Sequence, residues 1–211
     1  MTPTAPMAYL LERMRGSKAD PEQFDDSTIV RYLSDGYIAA CESARLLRAW
    51  TQITLTASFQ EYALPSDWCE TLGVYQDGDA MEELPVRIAP RADPGRFYYT
   101  YDGVLGLVTT PTASGGSIIL HYARRPAAVG IADTPESVFG PEWYHLMYHY
   151  AAWHVYRLGY GAQYIAEAAR HRQAFDAGTK MLQRYASSRT EAATNSTPVT
   201  TVLSLPAVTV P

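Results

Sequence analysis

Apolar positions recur every three or four residues in two stretches of the chain, and every second residue in the stretch between them. Ile29, Leu33, Tyr37, Cys41, Ala44 and Leu47 fall on one helical stripe, with Asp25 or Asp26 placed to cap its start. A shorter helix is expected over residues 6–14, closed by Gly16. Gly36 sits inside the main stripe, where it weakens a helix by roughly 1 kcal/mol relative to Ala. Near Trp50 the period drops to two: Ile53, Leu55, Ala57 and Phe59 alternate with Thr54, Thr56 and Ser58, as in a half-buried strand. Further strands are expected at 71–75, 84–88, 96–101, 104–109 and 117–123, punctuated by Asp77-Gly78, Asp93-Pro94-Gly95, Asp102-Gly103 and Gly115-Gly116. Asp102-Gly103 is the signature of an exposed two-residue hairpin turn, which needs positive φ at both positions.

From Gly140 the helical period returns. Pro141 suits a first helical position, and a helix is expected over 142–158, ending at Gly159. A final helix over 162–186 carries Ala168, Phe175 and Leu182 at sevenfold spacing, with Glu167, Arg170, Gln173, Lys180 and Arg184 on its other face. Beyond Ser187 the composition changes. Residues 192–211 hold no charge, no aromatic and no glycine, and Pro198, Pro206 and Pro211 preclude a regular helix. The pattern predicts an α+β chain: a bundle of three or four helices, an inserted antiparallel β-sandwich or barrel, and an extended C-terminal arm. The boundaries are 1–50 for the first helices, 51–126 for the β insertion, 127–186 for a linker and two long helices, and 187–211 for the arm.

Composition narrows the function. At 47% apolar and 18% charged the chain is a globular one, and it contains no apolar run long enough to span a membrane. Neither a secretory leader nor a membrane partner is expected. A net charge of −5 lacks the electrostatic footprint of a nucleic-acid binder. Cys41 and Cys69 form no C-x-x-C unit, so no zinc module or disulfide scaffold is expected.

Candidate chemistry is sparse. His145 and His149 share a helix face, His154 follows, and Glu142-x-x-His145 has the spacing of carboxylate-bridged metal bundles. Such a bundle needs a second E-x-x-H and two more glutamates, which the helices lack. No nucleophile elbow, Walker loop or dinucleotide fingerprint is present. No catalytic residue, cofactor or metal is therefore expected. A small metal-dependent enzyme on the His145/His149 helix remains a minor alternative, which metal analysis of the purified protein would test.

Aromatic residues point elsewhere. The chain has 16 Tyr and 4 Trp against 5 Phe, and amphipathic rings in such excess suit interfaces. Trp143, Tyr144, Tyr148, Tyr150, Trp153, Tyr156 and Tyr160 crowd one helix and exceed a single stripe. One reading makes it a central core helix. The other places one face on a neighbouring subunit, with Tyr144, Tyr148, Tyr156 and Tyr160 as interface candidates, Tyr148 and Tyr156 among the exposed ones.

An ordered set of segments resembles the head–tail adaptor, or connector, proteins of tailed bacteriophages. The segments are Asp26-Ser-Thr-Ile29-Val-Arg-Tyr32-Leu33-Ser-Asp-Gly36-Tyr37, Phe59-Gln-Glu-Tyr62-Ala-Leu64-Pro65-Ser-Asp67-Trp68, Ile119-Leu-His-Tyr122-Ala-Arg-Arg-Pro126, and Asp133-Thr-Pro135 leading into Pro141-Glu-Trp143-Tyr-His145-Leu146. Together they cover roughly residues 24–186. The resemblance implies a structural virion protein, made in the host cytoplasm and located at the neck. It further implies a twelvefold ring joining portal to tail or nozzle protein, with DNA passing through its centre without sequence-specific binding. It also implies a C-terminal extension reaching the portal, here carrying Val199, Val202, Leu203, Leu205, Val208 and Val210. Another virion component, such as a tail-completion or tube protein, is the alternative.

Overall fold

The computed structural model describes residues 6–16, 24–86, 96–159 and 162–195. Helices α1 (Pro6–Gly16) and α2 (Asp26–Ala44) come first. Strands β1 (Arg48–Thr54), β2 (Glu61–Ala63), β3 (Trp68–Gln76), β4 (Asp79–Ala80), β5 (Glu82–Glu83), β6 (Phe97–Tyr101), β7 (Val104–Leu107) and β8 (Ser117–Arg124) follow. A 3₁₀ turn, Pro141–Trp143, then leads into α3 (Tyr144–Arg157) and α4 (Ala162–Asn195). The chain is α+β, with four helices and two mainly antiparallel sheets among the described residues.

Asp25 caps α2: its carboxylate accepts the Thr28 N–H at 2.8 Å, and hydrogen bonding from the Thr28 side chain first, then from this N–H, holds the carboxyl below the usual range. The stripe read from the sequence is the buried face. Ile29, Leu33, Tyr37, Cys41 and Ala44 join Met7, Leu10, Phe139, Leu146, Met147, Ala151, Phe175 and Leu182 in one apolar cluster drawn from all four helices and the linker before α3. Gly36 has a packing reason. A Cβ there would lie 2.8 Å from Tyr150 Cβ and 3.1 Å from the Met147 Cα, so α2 and α3 cross at a distance only hydrogen allows. Gly36→Ala gains about 1 kcal/mol of helix propensity but meets α3 backbone, and overpacking costs about 1–3 kcal/mol. A net loss of stability, seen as a lower urea midpoint, is the expected result.

The β segment has its own core: Leu55, Val74, Tyr98, Leu105, Leu107, Ile118, Leu120 and Tyr122. Its sheets run β1-β8-β3-β4 and β2-β7-β6-β5, and both supply residues to that cluster. Asp102 (φ 41°) and Gly103 (φ 76°) form the exposed turn between β6 and β7, as their sequence requires.

Several elements depart from the sequence pattern: β2 is not among the expected strands, and residues 84–86 of the strand expected at 84–88 are not strand, Glu82–Glu83 pairing instead. The first strand lies at Arg48–Thr54, earlier than the Ile53–Phe59 alternation indicates. Its partner β8 begins at Ser117, opposite Thr54, so pairing ends there. The chain then turns at Ala57-Ser58, and Phe59 is 61% exposed. The pair β5–β6 is parallel, with Glu82 beside Phe97, so the sheet is not wholly antiparallel. Finally, α4 continues to Asn195 instead of ending at 186. No glycine or proline intervenes between Gly178 and Pro198, and Ala, Arg and Glu favour helix. The segment expected to form an arm from residue 187 is thus helical at its start. Val199, Val202, Leu203, Leu205, Val208 and Val210 lie outside the described residues.

The linker between β8 and α3 is tied to α2. Val129 N–H donates to Ser34 Oγ at 3.0 Å and Glu136 N–H to the Tyr37 hydroxyl oxygen at 3.2 Å. Phe139, fully buried, meets the Tyr37 ring edge-on at 5.1 Å. Ion pairs Arg125–Glu42 and Arg45–Glu70 bridge α2 and the β segment.

Candidate interaction surfaces

Helix α3 packs against α1, α2 and α4, and its aromatic side chains mostly meet those neighbours. Tyr148, expected to be exposed, is 8% exposed beneath the Arg13 guanidinium, 4.3 Å from its ring centre. The physical reason is α1, whose last turns cover this part of α3. Tyr144 is half-buried and stacks on Phe139. Tyr156 is half-buried and lies flat on His171 at 5.4 Å, with an interplanar angle of 9°. Tyr150 meets Phe175 edge-on, and Trp153 lies under Arg172 at 4.3 Å. Tyr160 is outside the described residues.

The histidines separate into different surroundings. His145 is exposed, its Nδ1 bonded to the Glu142 carbonyl at 2.7 Å. His149 pairs with His171 of α4, a residue the sequence reading did not single out, through an Nδ1–Nδ1 hydrogen bond of 2.9 Å. One ring must donate and the other accept, so the pair is neutral on at least one side. Nothing in the spacing along one helix signals a partner from another. His154 stacks on Tyr32 at 5.1 Å, with its Nε2 buried and unpartnered among the described residues. No group of three His, Cys, Asp or Glu suited to a metal ion occurs among the described residues.

Burial first, then the neighbouring His171, His145, Arg13 and Arg170 charges, push His149 down to about 4. Burial likewise lowers His154 and His171, the latter against an opposing pull from Glu167. Unfolded histidine titrates near 6.5. Between that value and the lowered native ones the unfolded chain binds more protons, so stability is full above about pH 7 and declines as pH falls toward 4. Urea unfolding at pH 5 should show a loss of about 1 kcal/mol relative to pH 7, kept small by solvent reaching these half-buried rings. His149→Gln should shrink that difference.

The β strands display exposed aromatics that the sequence reading, which looked for interface rings on α3, did not single out. Trp50 is 65% exposed on β1, directly opposite His121 of β8. In the next row Gln52, Ile119 and Tyr75 line up across β1, β8 and β3, and Ile119 and Tyr75 are exposed. On the other sheet Tyr99 and Tyr101 stack at 6.0 Å, and Tyr101 donates to Glu61 Oε1 at 2.8 Å. The available signal was positional: Trp50 occupies a slot on the outward side of an alternating strand. Charge is also divided. Residues 51–123 contain nine acidic residues and three arginines, whereas residues 144–195 contain three acidic residues and six Lys or Arg.

Burial raises the Cys41 and Cys69 thiols, Cys69 beside Glu42, which keeps both protonated. An open cleft of about 520 Å³ at the far end of the sheets is lined by Leu55, Gln76, Arg96, Leu107, Thr109 and Pro111, a set without a nucleophile–base pair. No described helix is long and apolar enough to cross a membrane. The model of a family described as SU10 adaptor protein matches residues 7–202, which takes in α1 and the start of the C-terminal segment beyond the 24–186 span. No curated protein matches the chain.

Proposed function

Because the chain belongs to the SU10 adaptor protein family of phage head–tail adaptors, its role is structural, in the virion, and we propose how it fills that role. It forms a ring, twelvefold as the resemblance implies, between the portal and the tail or nozzle, with DNA passing through the centre. Assembly precedes this in the host cytoplasm. The inserted β segment, residues 51–126, serves as an outward or tailward module, and the arm secures the ring to the portal.

The family match over nearly the whole chain carries this reading. Two features of the surface support it. A cyclic assembly joins one surface to a different one on the next copy, and this chain offers dissimilar surfaces: a β segment with exposed Trp50 and Tyr75, and long helices that keep Tyr144 and Tyr156 half-exposed. The separate apolar core of the β segment suits a module that contacts other components without disturbing the bundle. Cryo-electron microscopy of the neck, with mass photometry of the isolated chain, tests the proposal. A closed ring seated on the portal is expected, with monomers or small oligomers in isolation. A ring that forms readily alone would remove the templating by portal, and its absence from the neck would refute the role.

A further inference from the structure

We propose that, in the chain before it meets the portal, residues 199–205 of the C-terminal arm add to the free edge of β1 in the same copy as a further strand. The inference rests on the portal role proposed for the arm only for what ends this contact. Strand β1 stands at the edge of its sheet and pairs with β8 alone, in unbroken register over seven residues. Leu47 and Leu55, which flank it, bond to their partners Arg124 and Gly116. The alternation of an antiparallel ladder therefore turns the backbone groups of Ala49, Thr51 and Ile53 toward β8. It leaves the N–H and C=O groups of Trp50, Gln52 and Thr54 pointing off the edge. Among the described residues those groups have no hydrogen-bond partner.

The other sheet edges are guarded. Strands β4 and β5 are two residues long and carry Asp79 and Glu82-Glu83; β2 is three residues long and opens with Glu61. Short acidic edges resist pairing with a stray strand, whereas a long uncharged one invites it. Strand β1 has no charge after Arg48 and no proline, and its Trp50 is 65% exposed. Ala49 and Ile53 pack against the β core yet stay half-buried, because no described strand lies beyond them.

Residues 199–205, Val-Thr-Thr-Val-Leu-Ser-Leu, match that edge. They fill the proline-free window between Pro198 and Pro206, seven residues long like β1, uncharged and rich in strand-forming Val and Thr. Pairing the two buries no charge beyond Arg48. The arm also leaves from the end of the bundle where β1 begins. Helix α3 runs antiparallel to α2, with Tyr32 beside His154 and Gly36 beside Met147. It runs antiparallel to α4 as well, with His149 beside His171 and Trp143 beside Tyr185, so α2 and α4 point the same way. Gln183 of α4 donates to the Ser43 carbonyl at the end of α2, five residues before β1 starts. From there α4 runs on for twelve residues, about 18 Å, and residues 196–198 add about 10 Å. That brings the window within reach of a strand about 20 Å long that starts from the same end of the bundle.

Amide hydrogen exchange of the full chain, free of portal, is compared with that of the chain cut after Asn195. In the full chain the Trp50, Gln52 and Thr54 amides are expected to exchange roughly tenfold or more slowly than in the cut chain. Thr51 and Ile53, bonded to β8, should be equally slow in both. Val202→Pro in the full chain, which removes a donor from the middle of the window, should behave like the cut. A synthetic peptide of residues 196–211 added to the cut chain should restore the protection. Identical exchange in the full and cut chains would overturn the inference. So would protection that appears only as concentration rises, together with dimers in mass photometry, which would give the strand to a second copy. The portal role is read separately by co-sedimentation. Retention of the cut chain on portal rings would remove that role without touching the docked strand, and unchanged exchange would remove the docked strand without touching the role.

Discussion

A chain cut after Asn195 should fold normally yet fail to remain on the portal. Among the described residues both buried clusters lie within Met7–Ala186, so the cut removes none of their members. The lost segment, Ser196-Thr-Pro-Val-Thr-Thr-Val-Leu-Ser-Leu-Pro-Ala-Val-Thr-Val-Pro211, has six Val or Leu side chains and no charge. Its prolines exclude a helix, and Thr and Val favour extended pairing. Sixteen residues at ~3.3 Å each reach about 50 Å, far enough to leave the parent subunit. Main-chain bonds to an exposed edge, with alternate aliphatic side chains in pockets, would anchor it. Burying two such side chains at about 1.5 kcal/mol each already corresponds to on the order of a hundredfold in dissociation constant. Co-sedimentation with portal rings measures the loss. Wild-type retention of the truncated chain would show that the helices and β segment suffice.

Tyr37→Ala should be the most damaging single substitution in the helical core, at about 3–5 kcal/mol. The ring is fully buried, meets Phe139 edge-on, and its hydroxyl oxygen accepts the Glu136 N–H. Removing it opens a cavity beneath the linker and strands a backbone donor at once. Tyr37→Phe separates the two effects: it keeps the ring and should cost about 1 kcal/mol. Burial also raises the Tyr37 hydroxyl well above the usual phenol range, so it stays protonated throughout the accessible pH range. Thermal and urea unfolding of the two variants give the comparison. Equal losses would mean that the hydroxyl, and not the ring, holds the linker to α2.

The order of helices with a β region between them, the buried face of α2 and the 102–103 turn were readable in the sequence because each depends on local rules. A stripe at spacings of three and four has one face wherever it packs, and Asp-Gly adopts positive φ with little help from neighbours. The order of segments also carried the family resemblance, since the succession of a capped helix, hairpins and an aromatic helix is itself sequential. What lay beyond the sequence were relations between elements distant along the chain. Strand β1 ends where β8 ceases to pair, not where its alternation stops. Gly36 reads as a helix flaw until α3 is seen crossing it. Tyr148 reads as an interface ring until α1 covers it, and His149 acquires His171 from a helix that its own spacing cannot anticipate. Periodicity shows which side of an element is apolar; which other element covers that side is decided by packing, where excluded volume and hydrogen-bond satisfaction across the whole chain select one arrangement.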